Sequence, residues 1–245
     1  MGLIRARLQG RLRAQGIPSF TWFHDHVLRP QPGGSGMQLL IDLSTVNHSA
    51  FFREPEPLHA LVAWLAGRLP LGPVRVWSAG CSAGQEPYSL AMMLAELVPT
   101  LGPDRLTIWA SDLSLEMIRT AARAIYAARE LADVPPDRLR RFFLRGRGPR
   151  HGLYRVAPEI RRLVTFQHFD LRRSDWPMPG DFDAILCRNV ALYFDEAERL
   201  SLLERLAGRL RPGGWLVVGR CEILPERPRP LQKCAPSIYR KVPMS

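Results

Sequence analysis

A doubly wound, mainly parallel α/β fold is what this 245-residue sequence predicts. From Pro73 onward, short β-rich runs alternate with stretches of helical periodicity, the pattern of a parallel sheet covered by crossover helices. The first run passes into a loop of small residues and then a helix, and the second run ends at an acid, Asp112. Both are features of a sheet that binds a ligand at the carboxyl ends of its strands.

The elements follow in order. Leu3 to Gln15 carries Leu8 and Leu12 four apart among arginines, a short helix with one apolar stripe. Arg29 to Gly36 (RPQPGGSG) must be loop. Met37 to Leu43 is apolar and leads into TVNHSAFFREPE. Val74 to Ser78 is the first strand, followed by a helix from about Pro87 to Leu97. Leu106 to Ser111 is the second strand, and Ser114 caps a helix running to about Ala124. Val164 to His168, Phe182 to Cys187, Trp215 to Gly219 and Ser237 to Lys241 complete the strands. Before Trp215 an amphipathic helix places Leu200, Leu203, Leu206 and Leu210 on one face and stops at Pro212, Gly213 and Gly214. The stretch from Tyr126 to Val164 is too long for a simple crossover, and Arg145 to Val156 reads as a small inserted β-hairpin. The expected organisation is a helical N-terminal segment with its linker over 1–55. A ligand-binding catalytic domain follows over 56–245, with the inserted β-subdomain at about 142–162.

Hydrophobic residues at 46% allow a sizeable core, and no apolar run reaches the length of a membrane span. The basic N-terminus lacks an apolar signal core, and the four cysteines, Cys81, Cys187, Cys221 and Cys234, lack metal-site spacing. The expectation is a cytoplasmic, monomeric chain with reduced thiols, no metal and no membrane insertion. A net charge of +11 suggests an acidic or polyanionic partner, although arginines spread over a solvated surface give the same total.

The segment Val76 to Met92, VWSAGCSAGQEPYSLAM, carries the strongest chemical signal. Gly80 and Gly84 let a ligand approach the backbone at a helix start. The spacing is not GxGxxG, and the GKS/GKT signature of a triphosphate loop is missing. Asp112 can accept hydrogen bonds from a ribose diol or serve as a helix cap; beside this loop the ribose role is favoured. An adenosyl ligand without a phosphate chain points to S-adenosylmethionine (SAM).

Three blocks, in order, resemble the CheR-type chemoreceptor glutamate methyltransferases, and the resemblance extends from about Arg11 to Lys241. They are NHSAFFRE (Asn47 to Glu54), WSAGCSAGQEPYSLAMMLAE (Trp77 to Glu96) and FDAILCRNVALYFD (Phe182 to Asp195), the last ahead of LRPGGWL. The resemblance implies a Rossmann-like methyltransferase sheet that binds SAM and releases S-adenosylhomocysteine. It further implies cofactor contacts from Asn47, Ser49, Arg53, Gly80, Glu86, Asp112, Asp170, Leu171, Cys187, Arg188 and Asn189, with Arg53 and Tyr193 at the reacting groups. On this reading Glu86 takes the ammonium of the methionine moiety and Asp170 the adenine amino group. Arg53 forks onto a carboxylate of cofactor or substrate. Cys187 and Leu171 contribute backbone and shape, and His151 and His168 carry no catalytic role. The chain departs from the family in a shortened N-terminal helical segment, in Gln85, Ser49 and Asp170, and in GRCE (Gly219 to Glu222) where GHSE is usual.

A glutamate carboxylate is ionised at neutral pH, so methyl transfer to it requires alignment rather than a general base. The expected partner is a methyl-accepting chemotaxis receptor or a related acidic helical protein; nucleic acid is not expected. The competing readings are a methyltransferase for another protein or a nucleic acid, and a truncated relative that binds SAM as a sensor or scaffold.

Overall fold

The structure, a computed structural model, describes residues 2–29, 34–44, 49–176, 180–220, 222 and 230–242; for 2–7, 44 and 193 the backbone alone is described. Its centre is a seven-stranded sheet. The strands are β1 (Val74–Ala79), β2 (Leu106–Asp112), β6 (Val164–His168), β7 (Phe182–Cys187), β8 (Leu210–Val218), β9 (Leu231–Ala235) and β10 (Ile238–Lys241), in the order β6-β2-β1-β7-β8-β10-β9. The first five are parallel, and β10 runs antiparallel between β8 and β9. The strand order reverses between β1 and β7, which opens a crevice at their carboxyl ends.

Period-two alternation buries the central strands on both faces. Val74, Val76, Ala184, Leu186 and Val217 point into one apolar cluster. Trp77, Ile185, Leu216 and Val218 point into the other, which Phe182 joins across a register shift between Phe182 and Ala184. The first cluster is covered by α4 (Pro55–Arg68) and α5 (Gln85–Leu97), the second by α9 (Glu196–Arg209). Asp195 and Glu198 form a reciprocal cap at the start of α9. This helix buries Leu203 and Leu206 of the expected face and adds Leu202 and Ala207, while Leu200 is half-buried. Leu210 already belongs to β8, because pairing with Phe182 begins there, before the Pro-Gly-Gly turn.

The helix α6 (Leu115–Arg123) starts as expected, with the Ser114 hydroxyl accepting from the Met117 amide at 3.2 Å. The inserted hairpin is present as β4 (Phe143–Arg145) and β5 (Leu153–Val156). A third strand, β3 (Ile125–Ala127), joins it and makes a three-stranded sheet in the order β3-β5-β4. Two short helices, α7 (Pro136–Phe142) and α8 (Pro158–Arg161), flank this unit.

At the N-terminus, α1 (Gly2–Ala14), α2 (Phe20–Phe23), a π-turn over His24–Leu28 and α3 (Ser35–Ser44) enclose a separate small core of Leu12, Ile17, Phe23 and Leu43. Leu8 packs against it, as the helical stripe predicts. Gln38 of α3 donates to the Leu113 carbonyl, which places this segment over the carboxyl end of β2. Among the described residues no helix is long and apolar enough to cross a membrane.

Candidate functional site

A cavity of about 370 Å³ opens at the carboxyl ends of β1, β2, β6 and β7. Its floor begins at the turn after β1. Gly80 has a φ of +85°, and a Cβ there would overlap the Val190 side chain, so this crossing requires glycine. The turn is braced from the small sheet, where the Tyr126 hydroxyl donates to the Ala83 carbonyl at 2.7 Å.

Asp112 closes β2 and faces the cavity. Its carboxylate accepts from the Ser82 amide at 2.8 Å and from the Ser114 amide at 2.9 Å. Burial raises its pKa, and these two amides and His168 offset only part of that. A carboxylate has about four acceptor sites, so two amides leave capacity for a ligand's hydroxyl donors. Asp112 therefore caps the turn and presents an acceptor at once.

Glu86, in the first turn of α5, accepts from the Ser78 hydroxyl at 2.8 Å and pairs with Arg188 at 3.0 Å. The Arg188 side chain is only 3% exposed. Its other terminal nitrogen pairs with Glu54 at 3.0 Å and donates to the Arg53 carbonyl at 2.9 Å. One buried cation thus ties the end of β7 to α5 and to the segment before α4. Arg188 lines the cavity, yet its charge is spent on two carboxylates. The sequence reading named it as a cofactor contact without foreseeing this fastening role.

The segment 51–54 forms a strap over the site. Phe51 is buried against Tyr126 and Phe143 of the small sheet, with ring centroids at 4.9 and 5.3 Å. The Phe52 amide donates to Ser89, and the Arg138 guanidinium lies 4.4 Å from the Phe52 ring centroid. Phe52 and Glu54 have positive φ values of 56° and 47°, as do the cavity residues Ser82 at 50° and Asn189 at 60°. Such conformations cost about 1–3 kcal/mol each and persist only where the surroundings impose them.

Of the sequence-predicted residues, Ser49, Arg53, Gly80, Glu86, Asp112, Asp170, Leu171, Arg188 and Asn189 all line this one cavity. Cys187 lies one position before Arg188, fully buried in the core, where burial pushes its thiol pKa well up. Asn47 lies outside the described residues; Tyr193 sits in a short turn, Ala191–Tyr193. The Asp170 carboxylate accepts from the Arg172 amide at 2.8 Å. The sequence reading missed Phe52, Phe169 and Phe194, which give the cavity flat apolar walls, and Ser78 and Glu54, which hold Glu86 and Arg188. Glu54 stood inside a quoted block; nothing in its spacing marks it as the partner of a residue 134 positions on.

A cavity at the reversal point of such a sheet, with an acid closing β2 and no GKS/GKT signature in the sequence, fits a class I SAM-dependent methyltransferase. A match to the family described as CheR methyltransferase, SAM binding domain, spans residues 47–239. Chemotaxis protein methyltransferase 2 of Pseudomonas aeruginosa is 39% identical over 221 residues, covering 90% of this chain and 78% of that protein. The chemotaxis protein methyltransferase of Escherichia coli is 39% identical over 220 residues, covering 90% and 76%. The probable chemotaxis protein methyltransferase of Rhizobium etli is 32% identical over 225 residues, covering 90% and 83%. The chain belongs to the CheR methyltransferase family.

Proposed function

We propose that this protein transfers a methyl group from SAM to glutamate side-chain carboxylates of methyl-accepting chemotaxis receptors. The products are glutamate methyl esters and S-adenosylhomocysteine, and the chain works as a cytoplasmic monomer without a metal. The observation that carries this reading is the joining of Arg53, Glu86, Asp112 and Asp170 around one cavity in a CheR-family chain. A volume of about 370 Å³ suits a nucleoside joined to an amino acid.

SAM supplies a methyl group made electrophilic by its positive sulfur. The protein's residues orient it. Asp112 would accept from the ribose hydroxyls and Asp170 from the adenine amino group, with Phe169, Leu171 and Phe194 lining the same cavity. Glu86 would accept from the ammonium, its carboxylate held in place by Ser78 and Arg188. Arg53 stands on the strap, where its fork can hold the substrate carboxylate in line with the methyl group. Ser49, Gly80 and Asn189 add to the lining, and the family resemblance assigns Asn47, Cys187 and Tyr193 to the same ligands.

Opposite charges on sulfur and oxygen cancel as the new bond forms, so apolar walls that exclude water favour the step over the separated ions. Alignment of oxygen, methyl and sulfur can itself supply about 7–11 kcal/mol. No proton has to move. The deciding experiment supplies radiolabelled SAM and a cytoplasmic receptor fragment. The expected result is label on the fragment that base releases as methanol; base-stable label, or none, would overturn the proposal.

A further inference from the structure

We infer that Glu222 is a positioning residue for the cofactor cavity and acts through the backbone of Asn189. Asn189 lines the cavity with a φ of 60°, so the turn after β7 must be held in a conformation that L-residues resist. The Glu222 side chain does this from four residues past the end of β8. One of its oxygens, Oε2, accepts from the Asn189 amide at 2.8 Å and from the Gly219 amide at 2.7 Å. Its own amide donates to the Gly219 carbonyl at 3.0 Å. Since β7 and β8 pair as far as Cys187 and Val218, this single oxygen fastens both strand ends where they reach the cavity.

The fit leaves no slack. A Cβ on Gly219 would lie 2.8 Å from both the Asn189 side-chain nitrogen and Glu222 Oε2, so any larger residue would push the two apart. Glu222 is 4% exposed, and its second oxygen is buried with no hydrogen-bond partner among the described residues. Burying a carboxylate half satisfied carries a cost, which two charge-assisted bonds to the backbone of the cavity turn offset. Glu222 does not itself line the cavity, so its effect on the ligand passes through Asn189.

This role rests on the proposed placement of SAM in the cavity. Its test measures S-adenosylhomocysteine affinity by calorimetry, and steady-state methylation of a receptor fragment, for the whole chain and two variants. Glu222→Ala should weaken binding and raise the KM for SAM by about tenfold while leaving the KM for receptor unchanged. Glu222→Gln, whose amide oxygen can still accept from both backbone amides, should recover most of the loss. If the alanine variant does not fold, Glu222→Asp, one methylene too short to reach both amides, takes its place with the same expectation. A folded alanine or aspartate variant with wild-type affinity would overturn the role, as would an equal rise in both KM values. A wild-type chain that bound no S-adenosylhomocysteine would overturn the placement of the cofactor, and this role with it.

Discussion

Asp112 combines two duties whose energies can be separated by pH. Burial disfavours its ionised form, so in the free protein it takes up a proton at a higher pH than an ordinary carboxylate. Ribose hydroxyls donate best to the ionised form. Affinity for S-adenosylhomocysteine should therefore be full above this raised pKa and fall as pH drops through it. Asp112→Asn should flatten that acid limb, and Asp112→Ala should cost about 10- to 100-fold in affinity, read by calorimetry across pH. An unchanged affinity would remove Asp112 from the ribose. Arg53 tests geometry rather than charge. Its backbone is fixed by Arg188, so the side chain starts from a held position. Arg53→Lys keeps the charge and loses the planar fork, and methyl transfer should fall about tenfold or more with cofactor affinity little changed. Near-normal turnover would reduce Arg53 to a general charge. Residue identities of this kind were readable because each sits at a strand end or in a compact block. Their supports, Glu54, Ser78 and Glu222, were not, because a supporting residue is defined by contact across the fold.

At the scale of elements, burial decided what the sequence showed. The inner strands β1, β2 and β7 announce themselves as short apolar runs because both their faces are covered. The edge strand β9 reads LQKCA and exposes its three central residues, so no apolar run marked it. Strand β3, three residues long, is recognisable only through its pairing with β5. The sequence reading assigned no element where α4 lies, although its prolines, Pro55 and Pro57, are compatible with a helix start. They lie in its first turn, where a missing amide costs nothing. The elements are also fastened at the end of the sheet away from the cavity. Asp183, the second residue of β7, has a nearly buried carboxylate that accepts from the Arg75 amide at 2.9 Å. It also pairs with Arg68 of α4 at 3.1 Å and Arg211 of β8 at 2.6 Å. Asp183→Ala should cost roughly 3 kcal/mol by leaving two arginines without their shared partner, and should lower the melting temperature by about 6–12 °C. Because the change lies far from the ligand, the folded variant should bind S-adenosylhomocysteine as wild type does. A loss of affinity without a loss of stability would contradict this division between the two ends of the sheet.

Over the whole molecule the positive charge is unevenly distributed along the chain. Residues 123–162, the small sheet with its flanking helices, carry eleven arginines against four acidic residues, so most of the net charge of +11 arises there. The N-terminal helix α1 adds Arg5, Arg7, Arg11 and Arg13, of which Arg11 also donates to the Leu43 carbonyl and so helps hold α1 on α3. The total charge was plain from composition, but its assignment to a partner was not, since arginines that brace the fold and arginines that face a partner count alike. Salt and mutation together can separate them. Attraction between exposed charges is screened over about 8 Å at physiological ionic strength, so receptor methylation should slow as salt rises while S-adenosylhomocysteine affinity changes little. Replacing Arg5, Arg7 and Arg13 with Ser, and leaving Arg11 in place, should raise the KM for receptor several-fold and flatten its salt dependence. The matching variant for the other site replaces Arg145, Arg147 and Arg150, on β4 and the turn after it. If the salt dependence survives the first set and is lost with the second, the receptor's acidic surface docks on the small sheet. Phe51 then joins that docking surface to the strap bearing Arg53 by direct ring contact.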